Sequence, residues 1–355
     1  MNQDPHFGRD AAEIADRLGA LADRFSGKNI LLTGSAGFLG LQFVHFFLHL
    51  NDSGRLLKPC RITALDNYQR GYPPLLKALE SRPDLALQQA DVVQYQDFGS
   101  PDFIIHAASI ASPTYYRQYP IETMDANVLG LRNLLDHARR QPPESLLFFS
   151  SSEIYGDPDP AHIPTTEDYR GFVSCTGPRA CYDESKRFGE TLCVNFWRVH
   201  HVRVKMARPF NNYGPGLRLG DRRVIPDLFR DVLADRNLTL LSDGRATRTF
   251  CYATDALNGY LRLLLSQENG EAFNIGVAQP EISMRELAEQ VVAVSGRRLR
   301  VITGRSDDRE YLTDNPQRRC PSIEKARQSL GYEPVVDLRT GLERMYAFYL
   351  DHSEE

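Results

Sequence analysis

No part of this 355-residue chain carries a basic run, and its formal net charge is only −4. That balance leaves little to neutralise a phosphate backbone, which argues against nucleic acid as a partner. No apolar stretch approaches the ~18 residues that a membrane-spanning helix needs. The densest run, Phe43 to Leu50, is interrupted by His45 and His49. The first residues lack an apolar segment and instead hold Asp4, Arg9, Asp10, Glu13 and Asp16, which reads as no signal peptide. Cys60, Cys175, Cys181, Cys193, Cys251 and Cys320 show no Cys-x-x-Cys spacing and no clustering with histidine. Reduced thiols in a cytoplasmic protein without a metal site are the expectation, so the sequon Asn237-Leu238-Thr239 carries no meaning. Internal repeats and low-complexity segments are also missing.

What is present is a core and a rhythm. Hydrophobic residues make up 42% of the chain, enough for one large or two ordinary domains. Residues 8–25 place Ile14, Leu18, Leu21 and Phe25 on one helical face, which predicts a helix packed on its own domain or on a partner. Strand-like runs then recur at 29–33, 61–65, 85–89, 103–107, 145–150 and 202–207, separated by helical patterns. Alternation of this kind predicts an α/β fold with a doubly wound parallel Rossmann sheet. Past Gly216 the runs shorten and the alternation lapses, which predicts a smaller mixed C-terminal domain set against the carboxyl ends of the strands.

The first strand-like run leads into Thr33-Gly34-Ser35-Ala36-Gly37-Phe38-Leu39-Gly40. Glycines at a spacing of three let backbone approach a pyrophosphate, whose charge then sits at a helix N-terminus. The second run ends in Asp66-Asn67. A carboxylate there accepts ribose hydroxyls and repels a 2′-phosphate, which selects NAD over NADP. Further along, Tyr182-Asp183-Glu184-Ser185-Lys186 puts a phenol and an ammonium on one helical face. An ammonium beside a phenol stabilises its anion, so Tyr182 is expected to act as a base with Lys186 lowering its pKa.

These pieces, with His106-Ala107-Ala108-Ser109, Ser150-Ser151-Ser152-Glu153-Ile154-Tyr155-Gly156 and Arg208-Pro209-Phe210-Asn211-Asn212-Tyr213-Gly214-Pro215, resemble the extended short-chain dehydrogenase/reductases that act on nucleotide sugars. The resemblance runs from about Lys28 to the C-terminus. It implies a nucleotide-binding domain over 27–210, preceded by a helical extension over 1–26. A nucleotide-sugar domain is implied over 211–355, with segments such as 247–262 returning to the first domain. It makes Ser151 the hydroxyl partner of Tyr182 and Lys186, and Asp91-Val92 the pair beside adenine. Phe38, Leu39, Ala107, Ala108, Ser109 and Pro209 join the NAD contacts, while Ser152, Asn211, Arg223 and Arg248 hold a nucleotide diphosphate sugar.

Within that family, Gly177-Pro178-Arg179-Ala180-Cys181-Tyr182-Asp183-Glu184, Gly244-Arg245-Ala246-Thr247-Arg248 and Asn315-Pro316-Gln317-Arg318-Arg319-Cys320-Pro321-Ser322-Ile323 resemble UDP-glucuronate decarboxylases. The implied activity is conversion of UDP-glucuronate to UDP-xylose through a 4-keto sugar. Glu153 is the residue that separates this reading from its alternatives. A 4-epimerase usually has a small residue there, and a 4,6-dehydratase has Asp before Glu where this chain has Ser152. Glu153 is expected to face C5 and C6 of the sugar and to crowd the substrate carboxylate electrostatically. Asp125, Gly216 and Val224-Ile225-Pro226 depart from the decarboxylase pattern, and Ile225-Pro226 is more epimerase-like. The epimerase and dehydratase alternatives therefore stay open, as does a non-catalytic NAD-binding scaffold. The resemblance further implies a homodimer paired through helices at about 122–140 and 182–200, with Val128, Leu131 and Leu135 on their apolar faces.

Overall fold

The computed structural model describes residues 4–304, 306, 310 and 313–352. Its centre is a parallel sheet of strands β1 (Asn29–Thr33), β2 (Arg61–Asp66), β3 (Leu85–Gln89), β4 (Phe103–His106), β5 (Ser145–Phe149), β6 (Val204–Pro209) and β7 (Ala272–Ile275). They lie in the order β7-β6-β5-β4-β1-β2-β3. The order reverses between β1 and β4, which opens a crevice at the carboxyl ends of the strands. The chain carries helix α1 (Pro5–Leu18) outside the sheet's helical layers, α2 (Phe38–Asp52), α3 (Leu131–Arg140), α4 (Ala180–His200) and α5 (Ala253–Leu265) on its faces, and α6 (Leu338–Asp351) against residues 284–295 and 224–233.

Both faces of the sheet are covered, which is why its strands read as nearly unbroken apolar runs. Ile30 and Leu32 of β1 join one core with Phe43, Phe47, Leu257 and Leu261 of α2 and α5. Leu31, between them, joins the opposite core with Leu134, Leu135 and Cys193 of α3 and α4.

Two features refine the sequence expectations. β7 lies beyond residue 210, pairing Asn274 with Arg208 at the edge of the sheet. Only four residues long, it falls where the strand–helix alternation has lapsed. The segment around 247–262 also divides. Thr247-Arg248 pairs in parallel with Arg318-Arg319 in a small separate sheet, whereas α5 packs beneath β5 and β6.

The N-terminal helix packs on its own chain, against α2 and α5. Phe7, Ile14 and Leu18 are buried there, and Arg17 reaches Asp255 at 2.7 Å. Tyr252 donates to Asp10 at 2.7 Å. The helix starts at Pro5 because the Asp4 carboxylate accepts from the backbone N–H groups of His6 and Phe7.

Candidate active site

A cleft of about 1250 Å³ runs along the carboxyl ends of the strands. It is bordered by Gly34, Asp66, Asp91, Ala108, Ser151, Glu153, Tyr182, Lys186, Pro209, Asn211, Arg223 and Arg248, and each of the other expected site residues also lines it. The volume exceeds the ~300–1,000 Å³ of a usual small-molecule site, leaving room for two ligands side by side.

One end fits a dinucleotide. A Cβ on Gly34 would stand 2.5 Å from the Ala108 nitrogen, and one on Gly40 would stand 2.1 Å from the Gly34 oxygen. Only glycine allows this turn to close between β4 and the start of α2, leaving backbone exposed where a pyrophosphate would meet the helix N-terminus. The Asp66 carboxylate accepts from Ala36 N at 2.9 Å and Tyr68 N at 2.8 Å. These bonds tie the end of β2 to the glycine turn. Burial pushes the Asp66 carboxyl up, against the lowering effect of those two amides. Val92 is buried and packs near Leu131 and Leu134, while Asp91 caps its own turn by accepting from Val93 N at 2.9 Å.

Arg218 and Arg223 take two different roles. Arg218 donates to the carbonyls of Arg70 and Gly71, bridging the cofactor end to the segment after Tyr213. Arg223 pairs with Asp221 at 2.8 Å, as does Arg70 at 2.7 Å. Arg70 also lies over the Tyr115 ring at 3.8 Å. Tyr116 is aromatic packing: it is buried and stacks on Tyr182 at 5.0 Å. His200 and His201 mark the end of α4, where His201 caps it at φ 57°.

The reacting groups sit at the middle of the cleft. Burial pushes the Tyr182 phenol up to about 12, and a hydrogen bond with Ser151 works in the opposite direction. Burial also pulls the Lys186 ammonium down to about 7. Lys186 donates to the Phe149 carbonyl at 2.7 Å and lies 5.6 Å from the centre of the Tyr182 ring. The lowering expected of Tyr182 from Lys186 is thus outweighed by burial. Both groups are buried, and the Lys186 ammonium is turned to a backbone oxygen.

Glu153 lies at the start of the short turn Ser152–Tyr155, two residues past Ser151, whose hydroxyl accepts from Glu153 N at 3.1 Å. Both of its carboxylate oxygens accept from Arg319 at 2.5 Å, and Arg179 donates to one of them as well. Burial pushes the Glu153 carboxyl up, but the guanidiniums of Arg179 and Arg319 outweigh it and hold it at about 2. The expectation that Glu153 repels a substrate carboxylate is thereby corrected: Arg179 and Arg319 offset its charge, and Arg179 also lies 3.8 Å from the Asp183 carboxylate.

Sequence reasoning missed both arginines as site residues. Arg179 stands one turn before Tyr182 and four residues before Asp183, a local signal that was available. Arg319 has none, because its place is set by strand pairing with Arg248. Arg248 itself donates to the carbonyls of Thr247, Pro316 and Gln317 and to Asn315, so it braces this segment as well as lining the cleft.

A doubly wound sheet whose glycine turn, terminal Asp and Tyr–Lys pair share one cleft defines an NAD-dependent enzyme of the extended short-chain dehydrogenase/reductase class. Residues 30–276 match the NAD dependent epimerase/dehydratase family, and the chain belongs to it. UDP-glucuronic acid decarboxylase 6 of Arabidopsis thaliana is 37% identical over 321 residues, covering 90% of this chain and 88% of that protein. UDP-glucuronic acid decarboxylase 1 of Xenopus tropicalis is 35% identical, covering 91% of this chain and 72% of that protein. Among solved structures, an epimerase from Methanothermobacter thermautotrophicus superposes with a TM-score of 0.81 at 26% identity, covering 95% and 97% of the two chains.

Proposed function

We propose that this protein decarboxylates UDP-glucuronate to UDP-xylose with NAD as a recycled cofactor. The observation that carries the reading is the Glu153–Arg179–Arg319 cluster, in which Glu153, two residues past Ser151, holds two guanidiniums in the cleft. Such a cluster suits a sugar that bears a carboxylate. The relatedness to decarboxylases over nine-tenths of the chain supports the same substrate.

In this account Tyr182 takes the proton of the sugar 4-hydroxyl while Ser151 holds that oxygen. NAD held along Gly34, Gly37, Gly40 and Asp66 would supply the hydride acceptor for C4 and the hydride returned after carbon dioxide has left. The 4-ketone makes the uronate a β-keto acid, so the C5–C6 bonding pair flows into the C4 carbonyl as carbon dioxide departs. Arg179 and Arg319 orient the carboxylate beforehand, held in place by Glu153. Ser152 and Glu153 then position a water that passes a proton to C5 and takes one up from solvent. Tyr182 finally gives its proton back to the C4 oxygen, and the cycle is redox-neutral.

A 4-epimerase must let its keto sugar turn over, and a charged cluster of three side chains on the C5–C6 side opposes that rotation. The test is mass spectrometry of products from UDP-glucuronate. Loss of carbon dioxide supports the proposal; conversion to UDP-galacturonate with the carboxylate retained contradicts it.

The proposed homodimer uses the expected helices through other side chains. Leu131 and Leu135 are fully buried in their own core. Exposed apolar residues on and beside the same helices include Ile121, Leu129 and Phe188, at 59%, 50% and 49% exposure, and these three form the proposed contact. Light scattering at micromolar concentration should give the dimer mass, and Phe188→Glu should shift it to the monomer.

A further inference from the structure

Behind the Glu153 cluster lies a second set of buried polar groups that the reaction does not touch. Its centre is Asn274 on β7, wholly buried. The Asn274 side-chain oxygen accepts from the Tyr155 hydroxyl at 2.7 Å. Its amide nitrogen donates to the carbonyls of Thr165 at 3.0 Å and Ser322 at 3.1 Å. Its backbone N–H donates to the Glu167 carboxylate at 2.8 Å. Tyr155 ends the turn that begins at Ser152 and carries Glu153, and Ser322 follows Arg319 by three residues. One side chain therefore spans the two segments whose charged groups meet in the cleft.

The surrounding bonds make that span stiff. Thr165 N donates to Cys320 O at 2.8 Å, and Ser322 N donates to Thr165 O at 2.8 Å. The Tyr155 hydroxyl also accepts from Arg208 at 2.6 Å. Arg208 is fixed in turn by two contacts with Glu190 of α4, at 2.8 and 2.6 Å. Thus α4, which presents Tyr182 and Lys186, the Glu153 turn and the Arg319 segment are all referenced to the edge of the sheet at Arg208 and Asn274. A buried amide with its oxygen and both of its donated bonds engaged tolerates little displacement, because each lost bond leaves a desolvated group behind.

We infer that Asn274 is a positioning residue for the decarboxylation step: it sets the meeting of Glu153 with Arg319 and leaves hydride transfer to Tyr182 and its neighbours. The inference rests on the decarboxylase reading above, and the wild-type enzyme tests that reading separately. Misplacement by an ångström is enough to slow a step by about a hundredfold.

The experiment compares wild type, Asn274→Asp and Tyr155→Phe as full-length protein with saturating NAD and UDP-glucuronate. Asn274→Asp turns the donor facing two carbonyls into an acceptor, and Tyr155→Phe removes only the hydroxyl link. Carbon dioxide release, 4-keto sugar and reduced-nicotinamide absorbance are followed together, with NAD affinity and melting temperature recorded for each protein. The expected result is carbon dioxide release slowed about tenfold or more, with oxidation within about twofold of wild type, so that the keto sugar and reduced cofactor accumulate. Oxidation and decarboxylation falling together, or neither changing, would overturn the inference, since a general scaffold role moves both. If Asn274→Asp does not fold, the Tyr155→Phe partition decides the matter by the same criteria. A wild type that releases no carbon dioxide sinks the decarboxylase reading instead.

Discussion

The two ends of the cleft are built in opposite ways. At the cofactor end, the glycine turn, Asp66, Asp91-Val92 and Ala107-Ala108-Ser109 each lie at or just beyond the end of one strand. Backbone shape does the work there, and the side chains mostly bond their own neighbours. At the sugar end, Glu153, Arg179, Arg248 and Arg319 come from four separate stretches and meet only through tertiary pairing. Charge does the work there, and each group depends on the others. The first kind of site is robust to loss of one contact, whereas the second fails as a unit.

The comparison is sharpest where the chemistry sits between the two ends. Tyr182→Phe should bind NAD and UDP-glucuronate yet lose at least about a hundredfold in turnover, the usual scale for a general base. Steady-state kinetics beside calorimetric NAD binding would check this, and a near-normal rate would remove Tyr182 from its role.

A smaller but broader effect is expected from Arg319→Met. Glu153 would keep Arg179 as its partner, so the loss should fall below the ~3–5 kcal/mol of a buried charge left unpaired. Thermal unfolding should show the loss, and the folded fraction should still bind NAD, because the cofactor end does not touch Arg319. Equal losses at both ends would erase the distinction drawn here.

The smallest effect concerns pH. Glu153 is held at about 2 in the folded chain against an ordinary value of 4.5. Its folded pKa is depressed, so its contribution to stability is fully present above pH 4.5 and is lost as pH falls through about 2. Acid unfolding of Glu153→Gln should therefore show a shallower slope across that window than the wild type. Identical slopes would mean that the arginines do not hold the carboxylate.

The same contrast explains what the sequence made legible. Six of the seven sheet strands and the cofactor turn were readable because each is a local pattern: apolar runs of period-free burial, glycines at fixed spacing, a carboxylate closing a strand. β7 was not, because it lies where the strand–helix alternation has lapsed and is flanked by irregular chain. Glu153 could be singled out beside Ser151, but its partners could not, since nothing near Arg319 in the chain tells that it will lie beside Arg248 and face Glu153. Likewise Leu131 and Leu135 read as a free apolar face, and only the packing of α3 on the sheet shows that the core takes them.

The account stands most directly on Glu153. In Glu153→Gln the positive charge of Arg179 and Arg319 is no longer offset, so UDP-glucuronate should bind at least as tightly as to the wild type. Oxidation at C4 should proceed, while release of carbon dioxide, measured from labelled substrate, should fall by about a hundredfold and leave the 4-keto sugar and reduced cofactor to accumulate. Carbon dioxide release at the wild-type rate would contradict the account and reduce Glu153 to a structural residue of its turn.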